Sequence, residues 1–411
     1  MAKSPVEVWL WLLLVMQPYN PKTAEILARC GGDATMASRM VRDGEFPFLN
    51  DKEKLRAKEV RMGAITPILE LCRENDIHIV TLDDEEYPEL LRNIYNPPIL
   101  LFVAGTLAGF DERPAIAAVG ARDISEYGAA AANAVLAPLA KTGISIVSGM
   151  AVGADAASHR AALSVGGYTV GVLGCGIMVN YPAENAGLKR EIVRSGGAVI
   201  SELLPNTRTF SGYFQARNRI ISGLCHGTLI IEAGKRSGSL LTANHAVSQD
   251  RDVFCIPPHD IMSSRYEGVA PLIRDGAVCV FNHTDILAQL MQNFSSGELI
   301  RRMLDDNADN SDARSEEAVS VPRDERKDRA DKPDTPTEKP KKTVPVEELL
   351  STLESNDAAV LKLIFEKPSS SDELVERSDL DFSAISEALT NLELLGHISR
   401  EMDGVYSVSG S

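Results

Sequence analysis

AIAAVGARDISEYGAAAANAVLAPLAKTGISIVSGMAVGADAA, residues 115–157, reads as a strand, a helix, a second strand and the start of another helix. Ala115 to Val119 is a short run of small and β-branched residues ending at Gly120, Tyr127 to Lys141 is rich in alanine, and Ile144 to Val147 is again β-branched. The rhythm continues with strands expected at Thr169 to Leu173, Val199 to Glu202, Thr228 to Glu232, Val253 to Ile256 and Val278 to Phe281. Helices are expected between them at Ala154 to Val165, Ala186 to Ser195, Tyr213 to Gly223, Ser239 to Gln249 and Val269 to Asp275. Strands that alternate with helices and carry almost no polar residues must be covered on both faces. The expected class is α/β: a Rossmann-like, mostly parallel sheet with helices on both faces.

The chain of 411 residues is long enough for two or three domains, and its apolar fraction of 44% suits a folded protein. A formal charge of −16 argues at first against a polyanionic partner. The stretch from Asp111 to Asp285, however, holds 15 basic and 15 acidic residues, so the acidic excess lies elsewhere and the placement of each cation matters more than the sum. The cysteines Cys30, Cys72, Cys175, Cys225, Cys255 and Cys279 are scattered, without a C-x-x-C pair, and read as buried thiols of a reducing cytoplasm. No metal and no cofactor is expected. Trp9 to Met16 is apolar but shorter than the ~17 residues a membrane span requires, so it reads as a buried helix in a cytoplasmic protein without membrane contact.

Outward from the central domain, taken as residues 114–292, the character changes on both sides. Residues 1–75 read as short helices, Val6 to Met16 and Thr23 to Cys30 being joined by a turn at Pro18 to Pro21. This resembles a helix-hairpin-helix or SAM-like module, although the turn lacks the Gly-x-Gly that lets amides approach phosphate. Residues 76–113 read as an extended lead-in, with a short strand at Ile77 to Val80 and prolines at Pro97 and Pro98 that stop helix. Residues 293–350 are charged and poor in large apolar side chains, the composition of a disordered linker. In residues 351–411, apolar positions on three helices precede a hairpin with an Asp403-Gly404 turn, the pattern of a winged helix. Its expected reading helix, Phe382 to Leu395, has no Lys or Arg, which favours an accessory or protein-contact role over groove reading.

In an open parallel sheet, ligands lie outside the carboxyl ends of the strands, where loops meet helix N-termini. The first such loop offers Gly120, Ala121 and Arg122, and the second offers Ser148 and Gly149 with small residues up to Asp155. A stronger signal is the pair Arg217-Asn218-Arg219, ahead of the strand from Thr228, and Lys235-Arg236-Ser237-Gly238-Ser239 directly after it. Ser237 or Ser239 can cap the following helix, whose free amides then face the same side as Lys235. Converging cations and a helix N-terminus are the make-up of a phosphate site. Asp155 and His159 share a helical face, but no nucleophile motif or carboxylate cluster accompanies them, and catalysis is not expected.

These segments, taken with Leu173-Gly174-Cys175-Gly176, Tyr181-Pro182, Ser201-Glu202 and Glu232-Ala233, resemble the DNA-processing protein A (DprA/Smf) family along the whole central domain. The resemblance implies a cytoplasmic protein that binds single-stranded DNA and forms a homodimer through its Rossmann domain. It also implies that the protein loads the RecA recombinase onto incoming single strands during natural transformation. The positions it matches to the phosphate pocket are Arg122, Ser148, Arg217, Asn218, Lys235 and Ser237 to Ser239. Departures from the family pattern fall at Ala121, at Gln215, at Pro257-Pro258-His259 and at Gly268-Val269-Ala270.

A competing reading is a nucleotide-processing enzyme of the phosphoribohydrolase kind on a related scaffold. That family carries Pro-Gly-Gly-x-Gly-Thr before its glutamate, where this chain has Glu232-Ala233-Gly234-Lys235. A third is a pocket that senses a small nucleotide. Few aromatic residues beyond Tyr213 and Phe214 stand near the cations, so phosphate contacts are expected to outweigh base stacking.

Overall fold

The computed structural model describes residues 4–293 and, further on, residues 355–367, 369, 373–374, 377–378, 385, 388–389, 392, 398–400 and 406–408. The chain divides into two compact units, residues 1–320 and 321–411.

In the first unit, five helices lead: α1 (Val6–Met16), α2 (Lys22–Arg29), α3 (Ala34–Asp43), α4 (Asp51–Glu59) and α5 (Thr66–Glu74). Then come β1 (Ile77–Thr81), α6 (Glu89–Arg92), β2 (Leu100–Gly105), β3 (Ala115–Val119), α7 (Glu126–Lys141), β4 (Ser145–Ser148), α8 (Ala154–Ser164), β5 (Thr169–Val172), α9 (Ala186–Arg194) and β6 (Ala198–Ser201). The unit continues with α10 (Ser211–Gly223), β7 (Gly227–Ile230), α11 (Ser239–Ser248), β8 (Asp252–Cys255), α12 (Val269–Arg274), β9 (Val278–Cys279) and α13 (His283–Asn293).

All nine strands form one sheet in the order β1-β2-β6-β5-β4-β3-β7-β8-β9. From β6 to β9 every pairing is parallel, whereas β2 joins β6, and β1 joins β2, antiparallel. The chain winds outward from β3 in one direction through β4, β5 and β6, and then in the other through β7, β8 and β9. That reversal is the switch point where an open α/β sheet leaves a crevice. β3 to β7 are buried along their whole length, which is why they read in sequence as apolar runs without alternation. Ser125 starts α7 by accepting a hydrogen bond from the Gly128 amide.

Residues 76–113 are more than a lead-in. The stretch after Pro98 pairs with β6 on one side and β1 on the other, so the sheet begins at Ile77. Nor do the first helices form a separate module. α1 is buried almost throughout, and its Trp9, Leu12 and Met16 share one apolar core with Phe102 of β2, Leu188 and Ile192 of α9, and Val199 of β6. Its nearly all-apolar sequence reflects a helix enclosed on most sides. No described helix is long and apolar enough to cross a membrane.

In the second unit, α14 (Ser355–Glu366) contributes Val360, Leu361 and Ile364 to a core with Leu374, Ile385, Leu389, Leu392 and Ile398. β10 (Ile398–Arg400) and β11 (Tyr406–Val408) pair antiparallel, Ile398 opposite Val408. The expected linker, the Asp403-Gly404 turn and most of the stretch from 382 to 395 lie outside the described residues.

Candidate functional site

The loops after β3, β4 and β5 and the side of α10 form an open cleft at the carboxyl edge of the sheet. Arg122, Met150, Gly174, Tyr181, Phe214 and Arg217 line it. The loops after β3 and β4 lie directly on each other: the Ala154 amide donates to the Ala121 carbonyl at 3.0 Å, and Gly153, at φ 78°, has no room for a Cβ beside the Arg122 carbonyl. Gly120 is equally confined, because a Cβ there would sit 2.8 Å from the Ala154 methyl.

Arg217 reaches the cleft from α10 and is only 5% exposed. Its guanidinium donates to the Gly149 carbonyl at 2.6 Å and to the Val172 carbonyl, while its buried Nε has no hydrogen-bond partner among the described residues. Among the described residues no carboxylate forms an ion pair with it, although the buried Asp155 lies near enough to feel its charge. Burial pushes the Asp155 carboxyl up from its ordinary range, against the pull of Arg217 and the 3.1 Å hydrogen bond from the Ala151 amide. Arg122 is exposed, with its guanidinium 5.9 Å from the Phe214 ring.

One strand over, Lys235 and Arg236 are exposed on the loop after β7, and neither forms an ion pair among the described residues. Asn218 donates to the Gly238 carbonyl at 3.3 Å and so ties α10 to this loop. The hydroxyls of Ser237 and Ser239 bond each other at 2.7 Å. Neither caps α11 as expected: the cap position is Gly238, and no side-chain cap bond forms there. The Ser239 amide lies 3.4 Å from Ser237 Oγ.

Two expected site residues have other duties. Ser148 is fully buried, and its hydroxyl donates to the Ala118 carbonyl at 2.6 Å. It ends a central strand, and its hydroxyl is engaged by the neighbouring strand and lies beside the Asp155 carboxylate. Arg219 lies about 200° around α10 from Arg217 and faces away from the cleft. It forms a buried ion pair with Glu202 at 2.9 Å, donates to the Asn96 carbonyl at 3.1 Å and stands 5.1 Å over the Tyr19 ring. Asn96 in turn donates to the Tyr19 carbonyl at 3.0 Å. The turn between α1 and α2, the candidate DNA-contacting hairpin, is therefore docked on Arg219 and Glu202.

His159 is also structural. Its Nδ1 bonds Thr169 Oγ1 at 2.7 Å, and that hydroxyl donates onward to the Ile146 carbonyl, so Nδ1 carries the proton. Burial takes its pKa down to about 3, and the ring is neutral.

Sequence reading gave two features no part in the site. Tyr181 and Phe210, 41% and 43% exposed, extend the aromatic surface: Tyr181 lies 5.2 Å from the Phe214 ring and Phe210 lies 5.3 Å from Tyr213. Tyr181 follows the glycine loop after β5, and that position on the sheet edge was the available signal. The second is Glu232, fully buried, which accepts from the Ser125 amide at 3.0 Å, from the Ser125 hydroxyl and from the Tyr266 hydroxyl at 2.9 Å.

A family profile described as DNA recombination-mediator protein A matches residues 78–291, and one described as DprA winged helix domain matches residues 344–404. Protein Smf of Synechocystis sp. is 32% identical over 342 residues, covering 81% of this chain and 80% of that protein. DNA processing protein DprA of Streptococcus pneumoniae is 41% identical over 206 residues, 50% of this chain and 72% of that one. The X-ray structure of DNA processing protein A from the same species superimposes with a TM-score of 0.61 at 32% identity, covering 70% of this chain and 98% of that chain.

Proposed function

Because the chain belongs to the DNA recombination-mediator protein A family, we propose that its strand-end cleft binds single-stranded DNA, as the first step in handing that strand to a recombinase. The observation that carries this reading is a set of cations along one sheet edge whose charge no described carboxylate pairs: Arg217 inside the cleft, Arg122 at its mouth and Lys235 one loop away. Phosphates would engage the cations, and unstacked bases would lie on Phe214 and Tyr181, so binding draws on both charge and stacking. Duplex DNA keeps its bases stacked on one another and cannot use the aromatic surface.

In this reading the protein acts in the cytoplasm as a homodimer joined through the Rossmann domain. It loads RecA onto incoming single strands in natural transformation and performs no chemistry itself. The phosphoribohydrolase alternative needs a glutamate that can reach a substrate, whereas Glu232 is fully buried with both oxygens engaged. The test is binding of labelled oligo-dT and of a duplex of equal length across a salt series. Tight, salt-dependent binding of the single strand with a weaker duplex supports the reading. Equal binding of both, or none, overturns it.

A further inference from the structure

Glu232 lies two residues beyond β7 and three before Lys235, and it is a buried carboxylate with no cation partner among the described residues. Hydrogen bonds from outside its own loop satisfy it. Ser125, three residues beyond Arg122, donates its amide to Oε2 at 3.0 Å and its hydroxyl to Oε1, while the same hydroxyl accepts from the Gly128 amide at 3.0 Å. The carboxylate therefore sits at the N-terminus of the 16-residue α7, where the helix dipole favours a negative charge. The packing leaves no slack, since a Cβ on Gly128 would lie 2.6 Å from the carboxyl group and one on Gly120 would lie 3.2 Å from the Glu232 backbone.

A third donor comes from the segment after β8. The Tyr266 hydroxyl donates to Oε1 at 2.9 Å and accepts from His259 Nδ1 at 2.8 Å. The same segment returns to the first loop, because Arg265 donates to the Asp123 carbonyl at 2.6 Å and pairs with the Asp123 carboxylate at 2.8 Å. It also meets the Lys235 loop, where the Gly268 amide donates to the Ala233 carbonyl at 2.9 Å. Three strand-end segments thus converge on one carboxylate, and two of them carry the exposed cations.

We propose that Glu232 is a positioning residue for phosphate recognition: by holding Ser125 and Tyr266 it sets the separation between the Arg122 and Lys235 loops, so that both cations meet one strand together. The inference rests on the single-stranded DNA reading above. Glu232 does not touch the ligand; it acts through Arg122. His259, at a position where the chain departs from the family pattern, extends the same chain of hydrogen bonds to the surface.

The experiment is a double-mutant cycle between Glu232→Gln and Arg122→Ala, read as oligo-dT affinity over a salt series. In Glu232→Gln an amide nitrogen faces one of the donors. The expected result is about a tenfold loss, a salt slope shallower by ~0.7, and a double variant within about twofold of Arg122→Ala alone. Tyr266→Phe, which removes one donor and keeps the ring, should show a smaller loss with the same non-additivity and serves if Glu232→Gln does not fold. Ser125→Thr, which keeps the hydroxyl, should retain affinity where Ser125→Ala loses it. Additive losses with a wild-type slope in the Glu232 or Tyr266 variants would overturn the positioning role and leave the binding reading intact. Absence of salt-dependent binding in the unaltered protein would overturn the binding reading, and this inference with it.

Discussion

Arg217 and Arg219 stand two positions apart on α10 and face opposite ways: the first donates to the Gly149 and Val172 carbonyls at the cleft, while the second is locked to Glu202 in an ion pair of 2.9 Å. The contrast separates binding from stability. Both partners of the pair are nearly buried, at 10% and 5% side-chain exposure, so removing one leaves the other uncompensated in a dry site. Arg219→Ala should cost ~3–5 kcal/mol in urea unfolding, and Arg219→Met combined with Glu202→Leu should recover much of that. At temperatures where each variant stays folded, oligo-dT affinity should change little. A large affinity loss in folded Arg219→Met/Glu202→Leu protein would return Arg219 to the binding site.

Charge contacts and fold contacts also separate by salt. Arg122 and Lys235 are exposed and have no ion pair among the described residues, so in the proposed function each would act by displacing counterions from a phosphate. Arg122→Ala and Lys235→Ala should each flatten the plot of log affinity against log salt by ~0.7. Thermal midpoints should stay within about 2 °C of the parent, as for surface changes remote from the core. An unchanged slope in both variants would remove these residues from the phosphate path.

How far the residues alone disclosed this site depended on where each one's partners lie. β3 was legible end to end, because a fully buried parallel strand is an uninterrupted apolar run. Arg122 and Lys235 could be placed on the sheet edge from sequence because the strand-end rule needs only the order of elements. The partners of Ser148 and Arg219 were not legible because the Ala118 carbonyl and the Glu202 carboxylate lie 30 and 17 residues away in the chain. β2 was read only as extended lead-in because its partners, β1 and β6, are joined to it by tertiary pairing that no local pattern encodes. Glu232 was read only as part of a motif, and its partners were illegible for the same reason, since its donors stand 107 and 34 residues from it.

The aromatic surface predicts a second kind of contact. Tyr181 is 41% exposed and lies 5.2 Å from the Phe214 ring, and both line the cleft beside Arg122. Tyr181→Ala and Phe214→Ala should each weaken oligo-dT binding by ~1–3 kcal/mol per stacked base, with the salt slope unchanged. An oligonucleotide with abasic positions keeps the phosphates and removes the stacking. On it, the variants should bind as the unaltered protein does. Persistence of the full loss on the abasic strand would mean that these rings support Arg122 instead of meeting bases.

His159 gives the fold a defined acid limit. Its pKa falls from about 6.5 in the unfolded chain to about 3 in the folded protein, because the ring is fully buried and Arg217 and Arg160 add to the repulsion of a proton. With a folded pKa below the unfolded one, the unfolded state binds the extra proton first. Above pH ~6.5 the group makes no pH-dependent difference, and between pH ~6.5 and ~3 it lowers stability by up to ~1.4 kcal/mol per pH unit. Below that window the loss is complete. His159→Gln has no group that titrates there, so the stability difference between the parent and this variant should narrow as pH drops from 7 to 5. Urea midpoints at pH 7, 6 and 5 measure it, and a difference that stays constant over that range would show that the buried ring does not titrate on unfolding as described.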